Sequence, residues 1–360
     1  VGVTLGVEEE YHLVDVETMA LADAPGVVAS AQQLLGADAQ SEISTSQLEV
    51  ATPVCSSLAE VRAQLARLRR GADTAAREHG CRVLACGTHP FSSWLDQRLT
   101  EGERYAEVHE RLGLLALQQL IAGCHVHVNV PDPELAVQVI DRLRPDLHLL
   151  LALSGSSPFW EGVDTGYASY RTQWFNRFPV TGTAQLVGDL ATYEQLVRDL
   201  VSTGMVRDAS HLYWDARAST RFPTVEVRVA DTLPRLDDVV LQAALVRSMV
   251  RRAAAEALSG QDFPRPRSEV VRAARWRSAK TGIEGELVDL RSGGLTPGAE
   301  LVRELVARLR DDLEELGDWD EVQALTDQAL SAGTSAARQR AVVAGGGDLR
   351  AVAQSVVDEI

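Results

Sequence analysis

Cysteine is scarce in this chain, with Cys55, Cys81, Cys86 and Cys124 the four in 360 residues. None forms a C-x-x-C pair, which argues against both a disulfide framework and a zinc ribbon. Long apolar runs are missing, so no segment reaches the length of a membrane span. No basic stretch followed by an apolar one stands near the beginning, and a cytoplasmic location is the expectation. Basic residues are outnumbered 35 to 51, a net charge of −16, which disfavours nucleic acid and anionic membranes as partners. A small anionic ligand stays open, because a local site can invert the global field. Several nucleotide and hydrolase signatures are also absent: G-x-x-x-x-G-K-[ST], G-x-G-x-x-G after a strand, H-E-x-x-H and G-x-S-x-G. If ATP binds, it is not through a phosphate-cradling loop.

What is present is an ordinary globular composition, 45% hydrophobic and 24% charged, long enough for one large domain or two ordinary ones. Up to about Asp231, alternating segments are interleaved with helical ones. Beyond Leu236 the pattern is almost wholly helical, and no Ser/Gly/Pro linker divides the chain. The organisation predicted is an α+β catalytic core over 1–236 with a helical C-terminal region, 237–360, packed on it as one continuous unit. Apolar spacing predicts helices over 56–78, 103–121 and 134–153. In the last third it predicts 237–259, 268–279, 298–316, 320–330 and a stretch from 349. Ser57 and Glu60 suit a capping box, and Pro133 a first-turn position.

The strands carry the chemistry. Alternation sends successive side chains to opposite faces. Val3, Leu5, Val7, Glu9 and Tyr11 share one face, with Glu8, Glu10 and His12 on the other. Leu48 and Val50 oppose Thr45, Gln47 and Glu49. Val126, Val128 and Val130 oppose His125, His127 and Asn129; Val225, Val227 and Val229 oppose Glu226 and Arg228. Four strands thus each pair an aliphatic face with one of carboxylate, imidazole or guanidinium, and none contains lysine. Any one of them alone is more often a half-exposed strand.

If they belong to one sheet, Glu8, Glu10, Glu49, Glu226 and one or both histidines converge. Such a cluster repels itself unless cations compensate. Oxygen ligands with an occasional imidazole suit Mg²⁺ or Mn²⁺ better than zinc. Magnesium leaves positions for phosphate oxygens, so a nucleotide or phosphorylated intermediate is expected, with Arg228 as a fixed fork for phosphate.

Ordered motifs from residue 3 to about 232 add a second argument. They are Glu8-Glu9-Glu10; Gln47-Leu48-Glu49 with Thr52-Pro53; Gly87-Thr88-His89-Pro90-Phe91; and Gly123-Cys124-His125-Val126-His127-Val128. Ser156-Ser157-Pro158-Phe159-Trp160, Tyr170-Arg171, Asn176-Arg177 with Pro179, His211-Leu212-Tyr213-Trp214-Asp215 and Glu226-Val227-Arg228 complete the series. The series resembles the glutamate–cysteine ligase type 2, or carboxylate–amine ligase, family. The resemblance implies a glutamine-synthetase-like fold, α+β, in which an antiparallel, partly barrel-shaped sheet flanked by helices holds Mg²⁺ and ATP. It implies ATP-dependent amide formation through an acyl phosphate, from a glutamate-like acid and an amine such as cysteine. Carried over by position, Glu8, Glu10, Glu42, Glu49, His127 (or His125 in its place) and Glu226 are the implied metal ligands. Arg228 would hold the transferring phosphate and Arg171 the substrate carboxylate or phosphate, making these two and Glu49 the candidate catalytic set. Gln47 and Asn129 are candidates to contact ATP, and Asn176, His89 and His211 to contact substrate.

Each has a blander alternative: His89 as a turn residue bonded to backbone, His211 as a loop cap, the aromatics of 159–179 and 202–223 as packing rather than lids. A metal-dependent amide hydrolase using the same face, and a non-catalytic nucleotide-binding relative, are the rival functions. A homodimer or higher homo-oligomer is compatible with the exposed sheet edges expected.

Overall fold

The computed structural model describes residues 3–360. Five strands lie in the first part of the chain: β1 (Leu5–Asp15), β2 (Ala39–Ser41), β3 (Gln47–Ala51), β4 (Cys81–Leu84) and β5 (Gly123–Asn129). Two short pairs follow, β6 (Phe159–Trp160) with β7 (Val163–Asp164), and β8 (Thr181–Gly182) with β9 (Tyr213–Trp214). Then come β10 (Ala216–Ala218) and β11 (Thr224–Asp231). The main sheet is antiparallel, in the order β10-β11-β5-β1-β3-β2, with β4 also on β1. The antiparallel sheet flanked by helices meets the expectation; it does not close into a barrel, and β10 and β2 are the ends of its strand order.

The register is what matters for function. Glu10 lies opposite Glu49, Glu8 opposite His125, Glu226 opposite His127 and Arg217 opposite Glu226. Alternation then puts all these side chains on one face. The other face is aliphatic. There Val7, Val126, Val128, Val225 and Val227 join one large core with Val61 and Leu65 of α2 (Leu58–Arg77) and with the helices behind the sheet.

Local signals explain most helix ends. Ser57 caps α2 by accepting from the Glu60 amide, while the Glu60 carboxylate turns back to the Ser56 amide. α1 (Gly26–Leu35) packs against α2. The helix expected over 103–121 divides into α3 (Glu103–Leu112) and α4 (Leu114–Leu117), because Gly113 adopts a positive φ of 56°. The one expected over 134–153 divides into α5 (Pro133–Leu143) and α6 (Leu147–Ser154) around Pro145, which lacks the amide a continuous helix needs. Two further helices, α7 (Tyr170–Phe175) and α8 (Leu190–Ser202), precede the end of the sheet.

The last third begins with α9 (Leu236–Leu258) and α10 (Ser268–Thr281). The 298–316 expectation is met by two helices, Gly298–Arg308 and Arg310–Leu316, and a helix at Ser335–Ala344 had no counterpart in the spacing. Residues of α9 and of Gly298–Arg308 share the large core with β5 and β11. Val356 and Val357 pack with Val14 and Leu84. No helix among the described residues is long and apolar enough to cross a membrane.

Candidate active site

The polar face of the sheet divides into an acidic end and a cationic end, with histidines between. At the acidic end, β1 supplies Glu10, β3 supplies Glu49, and the β2–β3 connection supplies Glu42. One oxygen from each lies within 4.8 Å of the others. Glu10 accepts from the Gly123 amide at 2.6 Å. Burial, and next the neighbouring Glu42, push its carboxyl up to about 8, against the pull of Arg171. Three carboxylates so close, one of them this reluctant to ionise, are a site short of positive charge. A hard divalent cation fits that donor set.

In the middle, His125 Nδ1 lies 3.2 Å from Glu8 and its Nε2 3.6 Å from Glu10, while His127 Nε2 lies 3.2 Å from the other oxygen of Glu8. Burial, with Arg228 adding to it, lowers His125 to about 4. Burial is the largest single influence on His127 and lowers it, but the Glu8 carboxylate 3.2 Å away and the charge of Glu226 together outweigh burial and raise the imidazole. Glu8 in turn is buried, yet its bonds to the two histidines hold it well below the usual carboxylate range. His127 and Glu8 therefore form the ion pair, and His125 stays neutral between Glu8 and Glu10.

The cationic end is built around Glu226. Arg217 donates to it from Nε at 2.8 Å and from Nη2 at 3.1 Å, and Arg228 approaches at 3.4 Å. Burial alone would raise Glu226; Arg228 and Arg217 outweigh it and hold the carboxyl at about 2. Arg171, carried by α7, is 3% exposed. Its ion-pair partner is Asp231 at 3.7 Å, and its Nε, like that of Arg228, is buried without a hydrogen-bond partner. Burial lowers the Arg171 pKa. A Cβ on Gly123 would stand 2.3 Å from Arg171 Nη2, so the bare backbone of Gly123 is what admits the guanidinium.

The other expected residues lie on or beside this face. Gln47, opposite His12, donates to the Ile121 carbonyl at 2.8 Å, and its Oε1 is buried without a partner. Asn129 sits at the far end of the β5 row, opposite Thr224. Asn176 is exposed at the end of α7 and accepts from Arg275 of α10 at 2.5 Å. His211 stands in the short turn before β9, 3.5 Å from Asp208. His89 spends both ring nitrogens on backbone: Nε2 bonds the Met19 carbonyl at 2.8 Å, and Nδ1 accepts from Phe91 and Ser92. Its ring is committed to the turn, and we leave it out of the substrate set.

Three residues escaped the sequence reading. Asp231 is the clearest. Alternation from Glu226 and Arg228 would bring Ala230 to the polar face, but a register shift between Val227 and Ala230 inserts one residue and brings Asp231 opposite Gly123 instead. There Asp231 accepts from Ser157 at 2.6 Å, Ser169 at 2.7 Å and the Ser156 amide at 3.0 Å. Arg217 lies on β10, a strand of three residues too short to show alternation. Arg275, bonded to Asp215 at 2.8 Å, comes from α10 of the last third.

An open antiparallel sheet backed by helices, with this charge arrangement on its polar face, belongs to the glutamine-synthetase-like class of fold. Within that class, the model of "Glutamate-cysteine ligase family 2" matches residues 4–355, and the chain belongs to that family. A relative from Salinispora arenicola, "Putative glutamate--cysteine ligase 2", is 40% identical over 341 residues, 94% of this chain and 90% of its own length. A relative from Frankia casuarinae, "Putative glutamate--cysteine ligase 2-2", is 39% identical over 357 residues, covering 99% of this chain but 41% of its own length. The chain thus spans about two fifths of that longer protein. Among solved structures, a glutamate–cysteine ligase from Francisella tularensis in complex with AMP superposes with a TM-score of 0.71 at 14% identity, covering 100% of this chain and 89% of that one. At that identity the likeness speaks for the fold.

Proposed function

We propose that this chain joins the carboxylate of a glutamate-like amino acid to an amine, using ATP and Mg²⁺ and passing through an acyl phosphate. The observation that carries the reading is the division of one sheet face: three mutually repelling carboxylates at one end, and at the other two under-neutralised arginines, Arg171 buried and Arg228 half-buried. A metal–nucleotide complex has the complementary charges. The complex of the Francisella protein with AMP supports a nucleotide as ligand. The family's name supports glutamate and cysteine as the substrate class.

The chemistry follows from the groups. A carboxylate resists attack by an amine because oxide is a poor leaving group; transfer of the γ-phosphoryl group to its oxygen creates a good one. We assign Glu10, Glu42 and Glu49 to the cation, with Glu8, His125 or His127, and Glu226 as further candidates. When bound, Mg²⁺ supplies charge neutralisation to the phosphate oxygens. Arg228, fixed by Glu226, holds the moving phosphoryl group. Arg171, fixed by Asp231, orients the acid's carboxylate or the phosphate. We assign Gln47 and Asn129 to the nucleotide, and Asn176 and His211 to the substrate. The stretches 159–179 and 202–223 exclude water from the acyl phosphate. We also treat 237–360 as part of the same functional unit as 1–236, because Arg275 braces Asp215 and Asn176.

The test is a turnover assay with ATP, glutamate and a panel of amines including cysteine. ADP release that depends on the amine is the expected result. Amide cleavage without ATP would establish the hydrolase instead, and ATP binding without turnover the non-catalytic relative.

A further inference from the structure

Behind the sheet, on the outer side of the helical layer, lies a second cleft. It is walled by the end of α5, the C-terminal half of α9, the loop after α9 and the helix Gly298–Arg308, and encloses a cavity of about 130 Å³. That is room for several water molecules, and so for a small organic or inorganic ion. The aliphatic core, with α5 and α9, stands between it and the carboxylates of the polar face.

Its lining is unusual for a protein of net charge −16. Four guanidiniums, Arg142, Arg252, Arg291 and Arg308, border the cavity. Asp146 neutralises two of them at once, at 2.6 Å from Arg291 and 2.8 Å from Arg308. Arg252 pairs with Glu256 at 3.0 Å. Asp262, which also borders the cavity, pairs outward with Arg265 at 3.3 Å and is itself largely exposed.

Arg142 is left over. Among the described residues no carboxylate comes within ion-pair distance of it; its Nη atoms bond the backbone carbonyls of Gln138 and Gln261, and its Nε is buried without a partner. Its guanidinium is held flat by the Phe263 ring, 4.5 Å from the centroid. An arginine fixed in place but lacking an anion, beside two that share a single carboxylate, makes a preorganised receptor for negative charge.

We propose that this cleft binds a small oxyanion, one bearing phosphate, sulfate or carboxylate groups, at a site separate from the sheet face. The inference does not depend on the proposed ligase reaction. Guanidinium forks on several sides favour an ion with two or more charges, and the inner volume matches a small ion.

Calorimetric titration of the full chain with sodium sulfate and with sodium succinate tests it, the two probes separating tetrahedral from carboxylate recognition. Three proteins are compared: wild type, the double variant Arg142→Gln/Arg252→Gln, and Arg228→Gln, which alters the sheet face alone. One equivalent of at least one probe is expected to bind wild type and Arg228→Gln alike, and to bind the double variant at least about tenfold more weakly. Circular dichroism checks that the double variant is folded; if it is not, Arg142→Gln alone takes its place. Failure of both probes to bind wild type at roughly 10 mM overturns the proposal. So does binding whose number of sites and affinity are both unchanged by the cleft substitution, or that disappears altogether in Arg228→Gln. The turnover assay fails or succeeds independently of this result.

Discussion

Glu9 and Glu10 are neighbours on β1, yet the sheet sends them to opposite faces and to opposite electrostatic fates. Behind the sheet, Glu9 is fully buried and answered by the chain itself: Arg69 donates to both its oxygens, at 2.5 and 3.1 Å, and the Tyr11 hydroxyl adds a bond at 2.7 Å. On the polar face Glu10 meets two more carboxylates, one backbone amide and, at 3.6 Å, the neutral His125 ring. A buried acid that serves structure is closed off by a partner from the same chain. One left without such closure among other acids is placed for a ligand from outside. The arginines repeat the contrast: Arg69 is saturated by Glu9 and two carbonyls, whereas Arg171 keeps an unpartnered Nε and a distant carboxylate.

Substitutions on the two faces are therefore expected to fail differently. The largest effect is on the polar face. Glu49→Gln is expected to lower kcat by about a thousandfold while leaving the urea midpoint nearly unchanged. Glu226→Gln is expected to lower kcat similarly and also to cost stability, because it removes the charge that Arg217 and Arg228 answer. Loss of folding in both variants would give those acids a structural role and erase the contrast. On the other face, Arg69→Met leaves Glu9 buried and unpaired, and chemical denaturation is expected to show a loss of roughly 3–5 kcal/mol. Gly123→Ala is a sharper probe of the arginine end. Its methyl group would displace the Arg171 guanidinium, so KM for the acid substrate or ATP is expected to rise about tenfold or more, with a smaller change in stability.

The smallest effects come from pH. Glu10 titrates near 8 in the folded chain and near 4.5 unfolded, so between these values the folded state holds the extra proton. His127, raised above 6.5, does the same at the upper part of that range. Stability of the metal-free protein is therefore expected to fall as pH rises from 6.5 to 8, by up to roughly 1.4 kcal/mol per pH unit for each group. His125, lowered to about 4, is neutral in the folded chain throughout this window. Unfolded, it is still about half protonated at pH 6.5, so it opposes the fall at the lower end and adds almost no slope by pH 8. Thermal unfolding with and without Mg²⁺ checks the trend: the metal should raise Tm more at pH 8 than at pH 6.5.

Strict alternation made much of this legible in advance. Glu8, Glu10, Glu49, His125, His127, Glu226 and Arg228 each lie at the parity of one polar face, and the faces align because the four strands share a sheet. Asp231 was hidden for the complementary reason: a bulge adds one residue, and counting by twos past it selects Ala230. Arg275 and Ser335 were hidden by distance, since the last third of the chain braces Asp215 and Ser156 through contacts that no local pattern encodes. The helices were visible as stripes, but the stripe over 134–153 runs through Pro145 without a change of phase, so the break shows in the backbone rather than in the pattern. His89 illustrates the reverse case. A histidine in a motif drew attention as a ligand contact, whereas its two nitrogens build a turn.

Cation binding at the acidic end can be measured without substrate. Mn²⁺ titrated into the full chain and followed by electron paramagnetic resonance should lose free-ion signal stoichiometrically with wild type, and at least about tenfold less tightly with Glu49→Gln. Equal affinity in the two proteins, or none in wild type, would contradict the assignment of Glu10, Glu42 and Glu49 to a metal.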